Sequence, residues 1–155
     1  MNHHNLPVDS PSLAVAQRSL GDPAHRYPLF PPLVEGCPAT STADLQYPLS
    51  LDYDYGRVPA DFFNRDPYPG IRRWAELLPP LAPGLSMGEG GTPLVAAPRL
   101  AAWAGFDGEV YIKDESRNPT GSHKDRLNLC TVSAAVLSGA PGVTVASSGN
   151  HGAAA

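Results

Sequence analysis

The distribution of proline limits most strongly what this 155-residue chain can fold into. Most of its 18 prolines fall between residues 22 and 84, in segments such as YPLFPPLVEGCP and PYPG. Proline fixes φ and lacks a backbone N–H, so these segments cannot run far as a helix or a central strand. Residues 1–84 are therefore predicted to be an irregular lead-in. Its regular pieces are an apolar-periodic segment at 12–20, a short strand at 49–53 and a helical turn or two at 71–78.

From residue 97 the sequence instead alternates between helix and strand patterns. It predicts a helix over APRLAAWAGF, a strand over EVYIKDE, a helix over 122–138, a strand over GVTVASS and the start of another helix. Short connections between such elements are typical of helices that cover a parallel sheet. Residues 143–146 are continuously apolar or small, as expected of a strand buried on both faces. The predicted fold class is α/β, a partial doubly wound parallel sheet in residues 85–155, preceded by the irregular lead-in.

Charge and composition exclude several classes of function. A net charge of −4 and a pI of about 5.6 argue against nucleic-acid binding, which requires clustered Lys and Arg. The longest apolar runs are too short for a membrane span and no signal peptide is recognisable, so a cytoplasmic protein without a membrane partner is expected. Cys37 and Cys130 form no Cys-x-x-Cys pair, and the N-terminal histidines have no metal-ligand spacing. No metal site is predicted.

The segment NPTGSHKDR, residues 118–126, leads directly from a predicted strand into a predicted helix. Ser122 is a plausible N-cap with Asp125 three residues later, and Lys124 lies in the first turn. The helix dipole there favours the neutral amine that a Schiff base requires. Taken alone, the segment fits a surface lysine on a capped helix better than a reactive lysine. Its spacing does not match the Walker phosphate loop, so a nucleotide site of that kind is not predicted.

Two further segments are candidates for a ligand site. SSGNHG, residues 147–152, follows the predicted buried strand and opens a helix. Its small residues allow close approach of a ligand, and its hydroxyl, amide and backbone N–H groups are donors suited to a carboxylate or phenolate oxygen. A capped turn would explain one Ser and one Gly, but hardly the whole cluster. GEGGTPL, residues 88–94, predicts by itself only a turn before an extended segment.

Taken together and in this order, four segments resemble the tryptophan-synthase-beta superfamily of pyridoxal-phosphate enzymes, and within it the threonine synthase family. They are EGGTPL at 89–94, YIKDE at 111–115, NPTGSHKDR at 118–126 and SSGN at 147–150. The resemblance covers about residues 86–155. It implies a fold type II enzyme domain, pyridoxal 5'-phosphate as cofactor, and a lyase that converts O-phosphohomoserine to threonine by β,γ-replacement. The substrate would be a small amino acid.

The resemblance also implies a role for each matching residue. Lys124 would be the catalytic lysine, which holds the cofactor as a Schiff base and moves protons at the substrate α and β carbons. Asn150 would donate a hydrogen bond to the 3'-oxygen of the cofactor, and His123 is expected beside the cofactor. The substrate carboxylate would be held by the loop that follows the predicted strand, namely by Ser147, Ser148, Gly149 and His151.

Two positions depart from the threonine synthase pattern. His123 stands where that family usually has Phe, which is more similar to tryptophan synthase beta, and Leu127 stands where it usually has Gly. Other β-replacement or β-elimination enzymes therefore remain alternatives, namely tryptophan synthase beta, cysteine synthase, and threonine or diaminopropionate lyase. The superfamily's phosphate loop and pyridine-nitrogen residue lie further downstream, so the chain is expected to be an N-terminal fragment, inactive alone and homodimeric when complete. A non-catalytic remnant is the alternative from another class.

Overall fold

The computed structural model of the chain describes residues 11–65 and 70–155. These residues form two compact units, and neither unit is a single continuous stretch of sequence. Unit 1 comprises residues 11–65, 74–85 and 129–144, and unit 2 comprises residues 70–73, 86–128 and 145–155. The division therefore does not follow a single boundary after residue 84.

Unit 1 contains a three-stranded antiparallel sheet with strand order β2-β1-β3. The central strand β1 (Ala14–Ser19) pairs with β2 (Arg26–Tyr27) and with β3 (Leu49–Tyr53). The predicted strand at 49–53 is confirmed. Strand β1 falls within the apolar-periodic segment predicted at 12–20. The prolines of the lead-in lie in the connections between these strands.

The proline-rich connection after β2 is held by one buried amide, that of Gln17. Its Nε2 donates to the carbonyl oxygens of Pro28, Leu29 and Pro31 at 2.7, 3.3 and 3.0 Å, and its Oε1 accepts from the N–H of Leu33 at 2.9 Å. A segment rich in proline has few N–H groups with which to satisfy its own carbonyls. The Gln17 side chain therefore replaces the regular hydrogen bonds that this segment cannot form.

Unit 1 also buries Cys37 among hydroxyl groups. The thiol is fully buried, lies 3.3 Å from the Tyr27 hydroxyl, and is close to Ser19 and Thr40, whose hydroxyls are 2.9 Å apart. Burial by itself raises the pKa of the thiol. Hydrogen bonds from the side chains of Ser19, Thr40 and Tyr27 and from the backbone of Ala39 outweigh burial and lower the pKa of Cys37 to about 6.

Unit 2 contains a two-stranded antiparallel sheet of β4 (Leu94–Ala96) and β5 (Tyr111–Lys113). Between them lies helix α1 (Pro98–Ala104), which begins with proline and ends at Gly105 in the left-handed conformation. Helix α2 (Lys124–Leu137) and the short helix α3 (Asn150–Ala154) follow. The predicted strand in EVYIKDE and the three predicted helices are confirmed, although α2 begins two residues later than predicted.

Two predictions about the sheet are wrong for the described residues. Every strand pair there is antiparallel, so the predicted doubly wound parallel sheet is absent from residues 11–65 and 70–155. Residues 143–146 form no strand and are exposed. Their apolar character predicted burial, but a strand also needs a neighbour for its N–H and C=O groups, and the described part of the chain provides none in register. No helix in that part is long and apolar enough to span a membrane.

Candidate functional site

Lys124 is the first residue of α2, and the loop before it is closed by hydrogen bonds on both sides of the lysine. Asp125 accepts from the backbone N–H of Thr120 at 2.8 Å and also from the Thr120 hydroxyl. The Ser122 hydroxyl accepts from the backbone N–H of Lys124 at 3.1 Å, as expected of a residue that caps the helix. Gly121, at φ 78°, makes the turn between them. The start of α2 is therefore a closed turn that determines where Lys124 lies.

A charged network connects the helix start to the two preceding motif segments. Arg126 donates from Nε and Nη2 to the Glu115 carboxylate at 2.8 and 3.0 Å, and from Nη2 to the Thr92 hydroxyl at 3.0 Å. The Thr92 hydroxyl in turn donates to Glu115 at 2.8 Å. Asn118 donates to Glu115 at 2.8 Å and accepts from the N–H of Gly90 at 2.9 Å. The Glu115 carboxylate thus connects its own segment, YIKDE, with the two other motif segments, EGGTPL and NPTGSHKDR.

The electrostatics of this network favour an ionised Glu115. The Arg126 guanidinium is the main cause, and hydrogen bonds from Thr92 and Asn118 add to it against the opposing effect of burial, so that the pKa of Glu115 falls to about 2. Glu115 is therefore negatively charged at neutral pH, and it pairs with the Arg126 guanidinium within unit 2.

Lys124 shares an open pocket of about 560 Å³ with the segment that follows the predicted strand. The pocket is lined by Lys124, Ala146, Ser147, Ser148, Gly149, Asn150 and His151. The structure therefore brings together the predicted lysine and the predicted ligand loop, which lie more than twenty residues apart in the sequence. His123 is exposed and does not line this pocket, so its predicted contact with a cofactor gains no support from the geometry.

The 147–151 loop is organised mainly by its own local bonds. The Ser147 hydroxyl accepts from the N–H of Gly149 at 3.1 Å and donates to its carbonyl at 3.3 Å. Asn150 then opens α3, with Gly149 in an extended conformation before it. The serine hydroxyls and the Asn150 side chain are exposed at the pocket. They can donate hydrogen bonds to oxygen atoms of a bound anion.

One residue of this site, Asn128, was not predicted. It lies on α2 four residues after Lys124, is 3% exposed, and donates from Nδ2 to the carbonyl oxygen of His151 at 3.0 Å. A signal for it was present in the sequence. Residues at i and i+4 share a helix face, and a buried amide on a packed helix requires a polar partner.

The chain has only two lysines, Lys113 and Lys124, and they differ in their partners. Lys113 donates to the backbone carbonyl of Thr92. Within residues 11–65 and 70–155, the Lys124 amine forms no hydrogen bond or ion pair. An amine without a competing partner, at the edge of a pocket, is available for reaction with a ligand. No group of three or more His, Cys, Asp or Glu suited to a metal ion occurs in the same residues.

One protein-family model matches the part of the chain that contains this site. Residues 85–155 match the model of a family described as pyridoxal-phosphate dependent enzyme. Pyridoxal phosphate is the cofactor of the family whose model matches the segment that contains Lys124.

Several of the proteins that are similar to this chain are threonine synthases. That of Methanosarcina acetivorans is 38% identical over 107 residues, which is 68% of this chain and 26% of the relative. That of Mycobacterium leprae is 48% identical over 67 residues, 43% of this chain and 18% of the relative. A 2-amino-4-ketopentanoate thiolase beta subunit from an unknown prokaryotic organism is 42% identical over 73 residues, 43% of this chain and 16% of the relative.

The chain spans about a quarter or less of the length of these relatives. No solved structure gives a significant match to it.

Proposed function

We propose that this chain carries the cofactor lysine and the substrate loop of a threonine-synthase-like, pyridoxal-phosphate-dependent lyase. The substrate is O-phosphohomoserine, and the reaction is the β,γ-replacement that yields threonine. The observation that carries the proposal is the common pocket of Lys124 and the 147–151 loop. The threonine synthases among the relatives support the choice of reaction.

The residues present fit the cofactor in their chemistry. Lys124 offers an amine without a competing partner, which can bond to the aldehyde carbon of the cofactor with loss of water. The pocket wall opposite consists of hydroxyl and amide groups, which suit the phenolate oxygen of the cofactor and the carboxylate of an amino acid. When bound, the cofactor would supply an electron sink for charge that develops on the substrate.

Each residue of the pocket then has a defined task. Lys124 would hold the cofactor and would move protons at the substrate α and β carbons. Asn150 donates from its side-chain amide to the 3'-oxygen of the cofactor. Ser147, Ser148 and His151 hold the substrate carboxylate, and Gly149 leaves room for its approach. The turn closed by Ser147 and Gly149 keeps these groups together.

The two lysines permit a direct test by covalent trapping. The chain is mixed with pyridoxal phosphate, reduced with borohydride, digested, and mapped by mass spectrometry. We expect label at Lys124 and a visible absorption band that disappears in Lys124→Ala. Lys113→Ala is the matched control and should retain both. Label on Lys113 at the level of Lys124, or a band that persists in Lys124→Ala, would refute the proposal.

The 2-amino-4-ketopentanoate thiolase beta subunit provides a second candidate reaction class. A relative with that name is 42% identical to this chain over 73 residues, so a replacement or cleavage reaction on a different amino acid is the second candidate. The two candidate reactions are distinguished by following the visible absorption of the cofactor-loaded chain while each substrate is added. A change on addition of O-phosphohomoserine, absent with 2-amino-4-ketopentanoate, supports the lyase, and the reverse pattern supports the thiolase-like reaction.

A further inference from the structure

We propose that Asn128 is a positioning residue that holds the 147–151 loop over the Lys124 amine. This inference rests on the proposed function, in which that loop and Lys124 form one site. Lys124 and Asn128 are separated by one turn of α2 and therefore share a helix face. The lysine faces the pocket lined by the loop, and Asn128 binds the carbonyl of His151 at the end of that loop.

The chemistry of the contact requires a donor at position 128. A backbone carbonyl can only accept, so the group that faces the His151 oxygen at 3.0 Å is the NH₂ of the Asn128 amide. At 3% exposure the amide has little access to water, and a buried polar side chain is unfavourable unless it is hydrogen-bonded. An apolar residue would suit the interior equally well, but it could not bind the loop.

Within the described residues of unit 2, no other hydrogen bond secures the loop. Among the described residues of that unit, the bonds of residues 145–155 are local, and the Asn128 amide provides the single hydrogen bond from this segment to another part of the unit. Residues 145–150 are exposed, so packing adds little to hold them. The position of Ser147, Ser148 and Asn150 relative to the lysine therefore depends on one side chain.

Loss of this bond should change cofactor binding without changing the reactive amine. When only a fraction of molecules has the loop in place, the apparent affinity for the cofactor falls by that fraction. A net hydrogen-bond contribution of typical size corresponds to a loss of about fivefold. The covalent bond to Lys124 should still form, because the lysine and the closed turn before it are unaltered.

The test uses Asn128→Ala, with Ser133→Ala as the matched control on the same helix. Ser133 is fully buried, and its hydroxyl has no hydrogen-bond partner among residues 11–65 and 70–155. Three properties are measured: cofactor affinity, the visible circular dichroism of the bound cofactor, and hydrogen exchange of the amides at 149–155. We expect Asn128→Ala to weaken affinity about fivefold, to reduce the visible dichroism and to accelerate exchange at 149–155, while borohydride still labels Lys124. Ser133→Ala should change none of these.

Asn128→Ser keeps a side-chain donor and should recover part of the lost affinity. If Asn128→Ala does not fold, the side-chain amide signals of Asn128 in the wild-type proton–nitrogen spectrum decide the question. Slow solvent exchange of these protons supports the inference, and free exchange overturns it.

The outcomes separate the inference from the proposed function. A wild-type chain without a Lys124 adduct refutes the proposed function, and hydrogen exchange alone then decides whether Asn128 holds the loop. An adduct with equal affinity, dichroism and exchange in wild type and Asn128→Ala refutes the inference and leaves the proposed function standing.

Discussion

Replacement of Glu115 by glutamine tests how strongly the charged network stabilises unit 2. Glutamine has the same size and keeps one acceptor, but it removes the charge that Arg126 contacts at 2.8 and 3.0 Å. The pKa of Glu115 falls from 4.5 to about 2, and one pKa unit corresponds to about 1.4 kcal/mol, so the charge of Glu115 stabilises the folded chain by at most about 3.5 kcal/mol. Both side chains are 25% exposed, so water screens the pair, and we expect a loss of about 2 kcal/mol in the free energy of unfolding.

The stabilisation by Glu115 depends on pH, and its direction follows from the lowered pKa. The pKa of Glu115 is lower in the folded chain than in the unfolded one, so the folded state is stabilised wherever the carboxyl is ionised in both states. That stabilisation is complete above pH 4.5 and is lost as the pH falls to about 2. Urea unfolding followed by circular dichroism, from pH 7 downward, should therefore give a difference between wild type and Glu115→Gln that shrinks towards zero in acid.

A matched ion pair nearby supplies the control. Arg117 contacts Asp114 at 3.1 Å, but its side chain is 71% exposed, so Arg117→Gln should leave the free energy of unfolding unchanged within error. A double-mutant cycle of Glu115→Gln with Arg126→Met isolates the pair. A coupling below about 0.5 kcal/mol, or a Glu115→Gln loss that stays constant from pH 7 into acid, would show that the network does not act as described.

Two other sites give predictions that can be measured in the same chain. Gly90 has φ 92°, and a Cβ there would lie 2.4 Å from the backbone nitrogen of Ile71, so Gly90→Ala should lower the free energy of unfolding by at least about 2 kcal/mol in urea denaturation. Gly105→Ala is its control, because φ is also positive there, at 63°, but no atom lies within 4 Å of an added Cβ. This variant should lose only about 1 kcal/mol of unfolding free energy. Equal losses in the two variants would contradict the steric argument. In the Cys130→Ser variant, ultraviolet absorbance should show the Cys37 thiolate forming near pH 6. The free energy of unfolding of this variant should exceed that of the Cys37→Ala, Cys130→Ser double variant by an amount that grows as pH rises from 6 to 9. The reason is that the pKa of Cys37 is lower in the folded chain than in the unfolded chain. A midpoint near 9 would contradict it.

Local patterns were sufficient to predict the helix and strand that surround Lys124. Helix α2 and strand β5 are short-range features, and a capped apolar periodicity or a β-rich run determines them. The loop at 147–151 was identified because its composition exceeds what a simple turn requires. Each of these predictions depends on residues close together in the sequence.

Long-range pairing was not predictable in the same way. Strand β1 pairs with β3 across a proline-rich connection, and nothing in either strand specifies that register. The parallel sheet was inferred from the alternation of elements, yet the described strands pair only in antiparallel fashion. The role of Asn128 depends on where the His151 carbonyl lies, which is a property of the fold.

The first turns of α2 organise the candidate site through residues that point in different directions. Successive residues of a helix are rotated by about 100°, so side chains that follow one another reach different neighbours. Asp125 binds the loop before the helix, Arg126 binds the carboxylate after β5, and Asn128 binds the 147–151 loop. Lys124 is the one member of this group whose side chain has no partner in the described residues. Substitutions at the other three positions should therefore alter how a cofactor is held while the lysine itself remains able to react.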